Sequence, residues 1–214
     1  MPNLLHLDSS ADLTGSRSRA ITAAFEEAWT ARGAAYTVTR RDLHLDPLPH
    51  LSTPALHWAP RLRVEGETAP AADEARQQVV LDELLAADVL LIGAPMYNYS
   101  LPSTLKVWID YIHVMGVTTT FDETPSQPLA GRPAIVATSS GGSYTEGKPT
   151  AGWDHATPVL RLILGTALGM SVTVLNAELT LAPRVPDLHE HIPHSEAVLE
   201  KALAAAAELG SSIS

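Results

Sequence analysis

Residues 88–102 read DVLLIGAPMYNYSLP, and this stretch decides the fold. An apolar run, Val89-Leu90-Leu91-Ile92, passes through Gly93-Ala94-Pro95 into a polar, aromatic loop, Met96-Tyr97-Asn98-Tyr99-Ser100. Pro102 then opens a helical pattern. A continuous apolar run of this length is the mark of a strand covered on both faces, as in parallel sheets. Such a strand empties its loop at the carboxyl edge of the sheet, where open α/β sheets hold their ligands. Aromatic faces beside free backbone amides suit a flat, hydrogen-bonding ring better than a sugar or a metal.

Working outward, strands and helices alternate along nearly the whole chain. Strands are expected at 3–7, 36–40, 89–92, 134–138 and 172–175. Helices are expected at 19–32, 71–86, 103–114, 154–168 and 194–209. Thr118–Phe121 is β-branched and suggests a short hairpin arm. Residues 42–69 carry Pro47, Pro49, Pro54, Pro60 and Trp58 and read as a long irregular segment, a functional loop or partner surface rather than a linker. Alternating β and α segments predict a parallel sheet with helices on both faces. Five strands suit the flavodoxin-like order 2-1-3-4-5, an α/β three-layer sandwich whose ligand crevice lies beside the ends of the first and third strands.

Composition narrows the function. The 214 residues suit one domain, 1–214, with a sizeable core. A formal net charge of −10 argues against nucleic acid, which needs a basic face. The absence of cysteine removes disulfides, thiolate metal sites and cysteine nucleophiles, and fits a cytoplasmic setting. No signal peptide is evident, and no apolar run approaches the roughly 20 residues of a membrane span.

Three polar loops follow three apolar strands. Asp8–Ser18, DSSADLTGSRS, offers Ser10, Ser16 and Ser18 hydroxyls and Arg17 before a helix start, a ready phosphate site; a simple helix cap is the plainer reading of Ser16 or Ser18. Met96–Ser100 is either a ring-binding wall or a hydrophobic loop packed under a neighbour. Ser139-Ser140-Gly141-Gly142 lets backbone approach a ligand closely, or is a plain flexible turn. All three project from one sheet edge, and their agreement carries more than any one of them. Competing motifs fail. Gly142–Pro149 nearly matches a phosphate-binding P-loop, but Pro149 stands where the metal-binding hydroxyl belongs. No G-x-S-x-G elbow and no G-x-G-x-x-G fingerprint occurs. His189, His191 and His194 read as a solvated stretch before the last helix rather than a metal site.

The segment APMYNYSLPSTLKVWIDYI, Ala94–Ile112, resembles the FMN-dependent NADH-azoreductases, also described as NAD(P)H:quinone oxidoreductases, whose pattern is close to A-P-M-Y-N-F-x-[IV]-P-x-x-L-K-x-[YW]-[IF]-D. The resemblance extends over most of the chain. It implies a flavodoxin-like fold, bound FMN, NADH or NADPH as electron donor, and a homodimer with an active site completed by both subunits. Carried across, it places the FMN phosphate at Ser10, Ser16, Arg17 and Ser18. It lays the isoalloxazine against Met96, Tyr97, Asn98 and Tyr99, with Pro95 and Pro102 fixing the loop ends. Ser139, Ser140, Gly141 and Gly142 then approach the pyrimidine end of the ring. There are departures. Ser140 stands where the family often has arginine, Thr119 where an aromatic often follows (with Phe121 a partial replacement), and the region of Ile163 is aliphatic. A less aromatic substrate face is expected from these changes.

The expected activity is ping-pong, two-electron hydride transfer from NAD(P)H through FMN to a quinone or azo acceptor. The cofactor carries the chemistry, so no side chain is assigned as catalytic and no metal is implied. The alternatives are a tailoring flavoenzyme acting on a natural-product quinone or conjugated substrate, and a non-catalytic flavodoxin-like electron carrier. A hydrolase lacks an identifiable activated nucleophile. Trp108, Ile109, Ile112 and the Trp58 loop are readable as either core or dimer contacts.

Overall fold

A computed structural model describes residues 1–120 and 127–213. Five strands, β1 (Asn3–Asp8), β2 (Thr37–Asp42), β3 (Val89–Pro95), β4 (Pro133–Ser139) and β5 (Ser171–Ala177), form one sheet in the order β2-β1-β3-β4-β5. Every pairing is parallel. The helices are α1 (Arg17–Thr30), α2 (Ala71–Ala86), α3 (Ser103–Ile112), α4 (Thr157–Leu160) and α5 (Ile192–Ser212). This is the flavodoxin-like sandwich that the alternating pattern predicts.

Strand alternation builds two cores. Leu5, Leu7, Leu90, Ile92, Ala134 and Val136 face α2 and α3. Leu4, Val89, Leu91, Ile135, Ala137 and Leu175 face α1 and α5. The central strand β3 is buried along its whole length, which explains its unbroken apolar run. The edge strands β2 and β5 are only partly buried and carry more polar residues. Trp108, Ile109 and Ile112 lie fully in the core, so within this list only the Trp58 loop remains open to a partner.

Residues 42–69 form two short 3₁₀ turns, Pro54–His57 and Pro60–Leu62. They lie over the ends of α2 and α3. Gln77 donates from Nε2 to the carbonyls of Leu56 (2.8 Å) and Tyr111 (3.1 Å), and the Met115 amide donates to the His57 carbonyl at 2.9 Å. None of these residues lines the clefts at the loop edge of the sheet.

Two expectations are adjusted. At 118–120 no strand forms: the Thr118 hydroxyl accepts from the Val114 amide (3.0 Å) and donates to the Ile112 carbonyl (2.5 Å), curling the chain into a tight loop. Phe121 lies outside the described residues. The fourth helix starts at Thr157 rather than 154: Ala156 is its cap residue, and the Asp154 carboxylate ahead of it takes the amides of Ala156 (2.8 Å) and Thr157 (2.9 Å) in a turn that precedes the helix. It then continues as a π-helical turn over Arg161–Ala167. No helix among the described residues is long and apolar enough to cross a membrane.

Candidate functional site

The loop after β1 is tied to the central strand before it reaches α1. The Ser9 amide and hydroxyl both donate to the Gly93 carbonyl, at 3.1 and 2.7 Å. A Cβ on Gly93 would collide with the Asp8 carboxylate and force it to move. Farther along, one Asp12 oxygen accepts the amides of Gly15 (2.8 Å) and Thr14 (3.0 Å). Those bonds, the Gly15 one foremost, hold the Asp12 carboxyl below its ordinary pKa. Ser16 caps α1 by accepting from the Arg19 amide at 3.3 Å. The amides of Ser16, Arg17 and Ser18 donate to no described residue, and the Ser16 and Ser18 hydroxyls sit 3.1 Å apart. Free amides at a helix N-terminus with adjacent hydroxyls form an anion cradle.

The loop after β3 is a tight turn. The Tyr97 amide donates to the Ser100 carbonyl (2.9 Å) and the Ser100 amide returns the bond at 3.1 Å. Asn98 and Tyr99 both have positive φ, 49° and 68°, the pattern of a type I′ turn. A tyrosine in the left-handed region costs about 1 kcal/mol or more, and strain of this kind concentrates at ligand sites. Asn98 and Tyr99 thereby present amides that no described residue accepts. The Tyr97 phenol points back to the first loop, accepting from the Ala11 amide at 2.9 Å and lying 3.3 Å from the Ser10 hydroxyl. Tyr97 is thus a strut between two loops.

The loop after β4 pairs with the segment that follows β5. The Thr180 and Leu181 amides donate to the carbonyls of Ser140 (3.0 Å) and Gly141 (3.3 Å). A Cβ on Gly141 would press against Leu181 at 2.7 Å, so this glycine permits the pairing. The Ser140 hydroxyl turns inward onto the Gly142 carbonyl at 2.9 Å. The Gly141 and Gly142 amides donate to no described residue.

These loops enclose a cleft of about 270 Å³. Ser10, Ser16 and Arg17 line one end, and Pro95, Met96, Tyr97, Ser139 and Gly141 the rest. A second cavity of about 160 Å³ shares Met96 and Ser139 with it and adds Ser140, Tyr144, Asp154 and Glu178. One Glu178 oxygen is 3.1 Å from His194 Nε2, and the other is buried with no partner. Of the residues expected from sequence, Ser18 is buried behind the cradle, Asn98 and Tyr99 stand at the exposed turn, and Gly142 lines a neighbouring outer cavity. The sequence places Asp12 and Tyr144 in these loops without a role of their own, and no motif in it marks Trp153, Thr180, Leu181 and Arg184. The last three follow β5, and the rule that placed the other loops at this edge applies to them equally. Tyr99 packs edge-on against Tyr144 (6.2 Å) and Trp153 (5.5 Å), so the rim holds an aromatic group assembled from two loops.

A buried charge lattice underlies the first loop. His6 Nδ1 is 2.6 Å from Glu26 and Nε2 is 3.2 Å from Asp8, the latter a charge contact without aligned hydrogen-bond geometry. Burial pulls the His6 pKa down, but its polar contacts with the Asp8 and Glu26 carboxylates and their charges outweigh it, raising it to about 9. Arg19 bonds Asp42 (2.6 Å) and donates to the Ser10 carbonyl (2.7 Å), which sets the backbone at the cradle.

A protein family described by a flavodoxin-like fold matches residues 2–209. An FMN-dependent NADH:quinone oxidoreductase of Kineococcus radiotolerans is 54% identical over 209 residues, spanning 98% of each chain. One of the same description from Streptomyces coelicolor is 39% identical over 94% of this chain and 90% of its own. Among solved structures, an azoreductase from Bacillus anthracis superposes with a TM-score of 0.80 over 99% of both chains at 20% identity. An FMN-dependent NADH-azoreductase from the same species, solved with FMN, gives 0.78 at 23% identity, covering 99% of this chain and 98% of its own. At these identities the two structures speak for the fold.

Proposed function

We propose, because this chain belongs to the flavodoxin-like family of FMN-dependent NADH:quinone oxidoreductases, that it is an FMN-dependent NAD(P)H oxidoreductase reducing quinones and azo compounds. The observation that carries the reading is the set of unpartnered amides on three loops at one edge of the sheet, Ser16 to Ser18, Asn98 and Tyr99, and Gly141 and Gly142, of which Ser16, Arg17 and Gly141 line the cleft itself. That donor set fits a phosphorylated, flat cofactor with acceptor atoms along one edge. When bound, FMN supplies the two-electron chemistry, taking hydride from NAD(P)H and passing it to the acceptor.

The protein's part is binding and orientation. Ser10, Ser16 and Arg17 would hold the phosphate by hydroxyl, amide and charge, with Ser18 buried behind them beside the Ser16 hydroxyl. Pro95, Met96, Tyr97, Asn98 and Tyr99 would form the wall for the ring, and the strained turn leaves two amides free to meet it. Ser139, Ser140, Gly141 and Gly142 close the other end by backbone, because the Ser140 hydroxyl is already committed. Preorganised amides stabilise negative charge that develops on a reduced ring. The exposed aromatic rim of Tyr99, Tyr144 and Trp153 offers π-faces to a planar acceptor.

The same reading makes 1–214 one flavin-binding domain, sets it in the cytoplasm, and pairs it as a homodimer. The exposed Tyr97, Tyr99, Trp153 and Leu181 around the cleft support a second copy closing over the site, and a light-scattering mass of two chains is expected. The function is tested by reconstitution with FMN, anaerobic titration with NADH and reoxidation with a quinone. Stoichiometric bleaching, rapid recovery and parallel double-reciprocal lines are expected. A protein that takes up no flavin overturns the reading.

A further inference from the structure

The phosphate end of the cleft has an unbalanced charge inventory. Asp12 lines it as an anion, and a phosphomonoester would add nearly two further negative charges. Arg17 spends Nη1 on the Ser195 carbonyl (3.0 Å) and hydroxyl (2.6 Å), which ties it to α5. Arg19 is consumed by Asp42, Asp8 and the Ser10 carbonyl. A third arginine, Arg184, lines the same cleft. Its guanidinium makes no hydrogen bond or ion pair with any described residue, although its backbone is fixed: the Arg184 amide donates to Leu181 at 2.9 Å, and Leu181 in turn is paired to Gly141.

We infer that Arg184, on the segment after β5, is a phosphate-binding residue of this site: it supplies the cation that offsets Asp12 and makes the cleft select a phosphorylated flavin over an unphosphorylated one. The inference rests on the FMN reading above. An uncommitted, exposed guanidinium on a pinned backbone, lining the same cleft as a cradle of free amides, suits a bidentate contact to a dianionic phosphate.

The test measures dissociation constants of FMN and riboflavin by flavin fluorescence quenching, for the wild type, Arg184→Ala and Arg184→Lys. The Arg184 side chain is exposed and makes no hydrogen bond or ion pair with a described residue, so both variants should keep the wild-type circular dichroism and melting temperature. The wild type should prefer FMN. Arg184→Ala should weaken FMN about tenfold to a hundredfold, leave riboflavin binding unchanged and flatten the salt dependence of FMN binding, with Arg184→Lys intermediate. An unchanged FMN-to-riboflavin ratio in Arg184→Ala overturns the inference. So does a variant with wild-type FMN affinity but a changed preference between NADH and NADPH, which would assign the guanidinium to the donor's phosphate. A wild type that binds neither flavin instead overturns the underlying reading of the site.

Discussion

At the scale of single residues, the site divides into groups that face the cleft and groups that shape it, and only the first kind is legible in sequence. Ser10, Ser16, Met96 and Gly141 were readable because each stands in a polar loop directly after an apolar strand. Tyr97 was readable as a site residue but not as a strut. Its phenol meets Ala11, 86 positions away, a pairing that no local pattern encodes. Removing that acceptor in Tyr97→Phe leaves the Ala11 amide without its partner. FMN affinity should fall roughly threefold to tenfold, the worth of one such bond, with the ring wall intact; the dissociation constant from fluorescence quenching measures it. Trp153 makes the opposite prediction. It lies half-exposed against Tyr99 and away from the cradle. Trp153→Ala should therefore leave bound FMN unchanged and raise KM for a two-ring quinone about threefold to tenfold, the range expected when one aromatic contact is lost. Steady-state kinetics beside the flavin-to-protein absorbance ratio separates the two effects. Equal losses in both would make Trp153 part of the cofactor wall.

At the scale of elements, strand order was legible because burial imprints itself on composition. The fully covered β3 reads as unbroken Val, Leu and Ile, whereas edge strands β2 and β5 carry Arg, Thr and Asn. Boundaries were less legible because caps decide them. Asp154 was read as helical when its carboxylate closes a turn that precedes α4, and α5 begins two residues early, with Pro193 in its first turn. The π-helical winding of 161–167 left no sequence signal at all. One helix contact gives a sharp test. Gly210 on α5 lets that helix close on α1, since a Cβ there would collide with the Phe25 carbonyl and approach Ala28 Cβ at 3.1 Å. Gly210→Ala should destabilise the fold by about 1–3 kcal/mol through overpacking, read as a lower urea midpoint. Because α1 carries the cradle and Arg17 reaches Ser195 on α5, FMN binding should weaken with it. A variant as stable as wild type would mean that the two helices separate without cost.

At the scale of the whole molecule, three elements are stitched by charge under the first loop: β1 supplies His6 and Asp8, α1 supplies Arg19 and Glu26, and β2 supplies Arg40 and Asp42. The ionisations of this lattice set how stability follows pH. His6 binds its proton more tightly in the folded chain, with a pKa of about 9 against 6.5. Its contribution is complete below about pH 6.5 and is lost as pH rises through 9. Glu26 runs the other way. Burial alone would raise its pKa, but hydrogen bonds from His6 and Arg40 dominate and lower it from 4.5 to about 2. Its contribution is present above about pH 4.5 and is lost as pH falls through 2. Both are therefore intact between about pH 4.5 and 6.5, and the urea midpoint should form a plateau there. Between pH 6.5 and 9 the wild type should lose stability on the order of 3 kcal/mol from His6. His6→Gln, which cannot titrate, should be less stable on the plateau and nearly flat across the same alkaline interval. The chain's net charge of −10 sharpens the comparison, because general repulsion among carboxylates acts on both proteins alike and cancels in the difference. Parallel wild-type and His6→Gln curves above pH 6.5 would show that His6 is neutral in the fold and that Asp8 and Glu26 are held by their arginines alone.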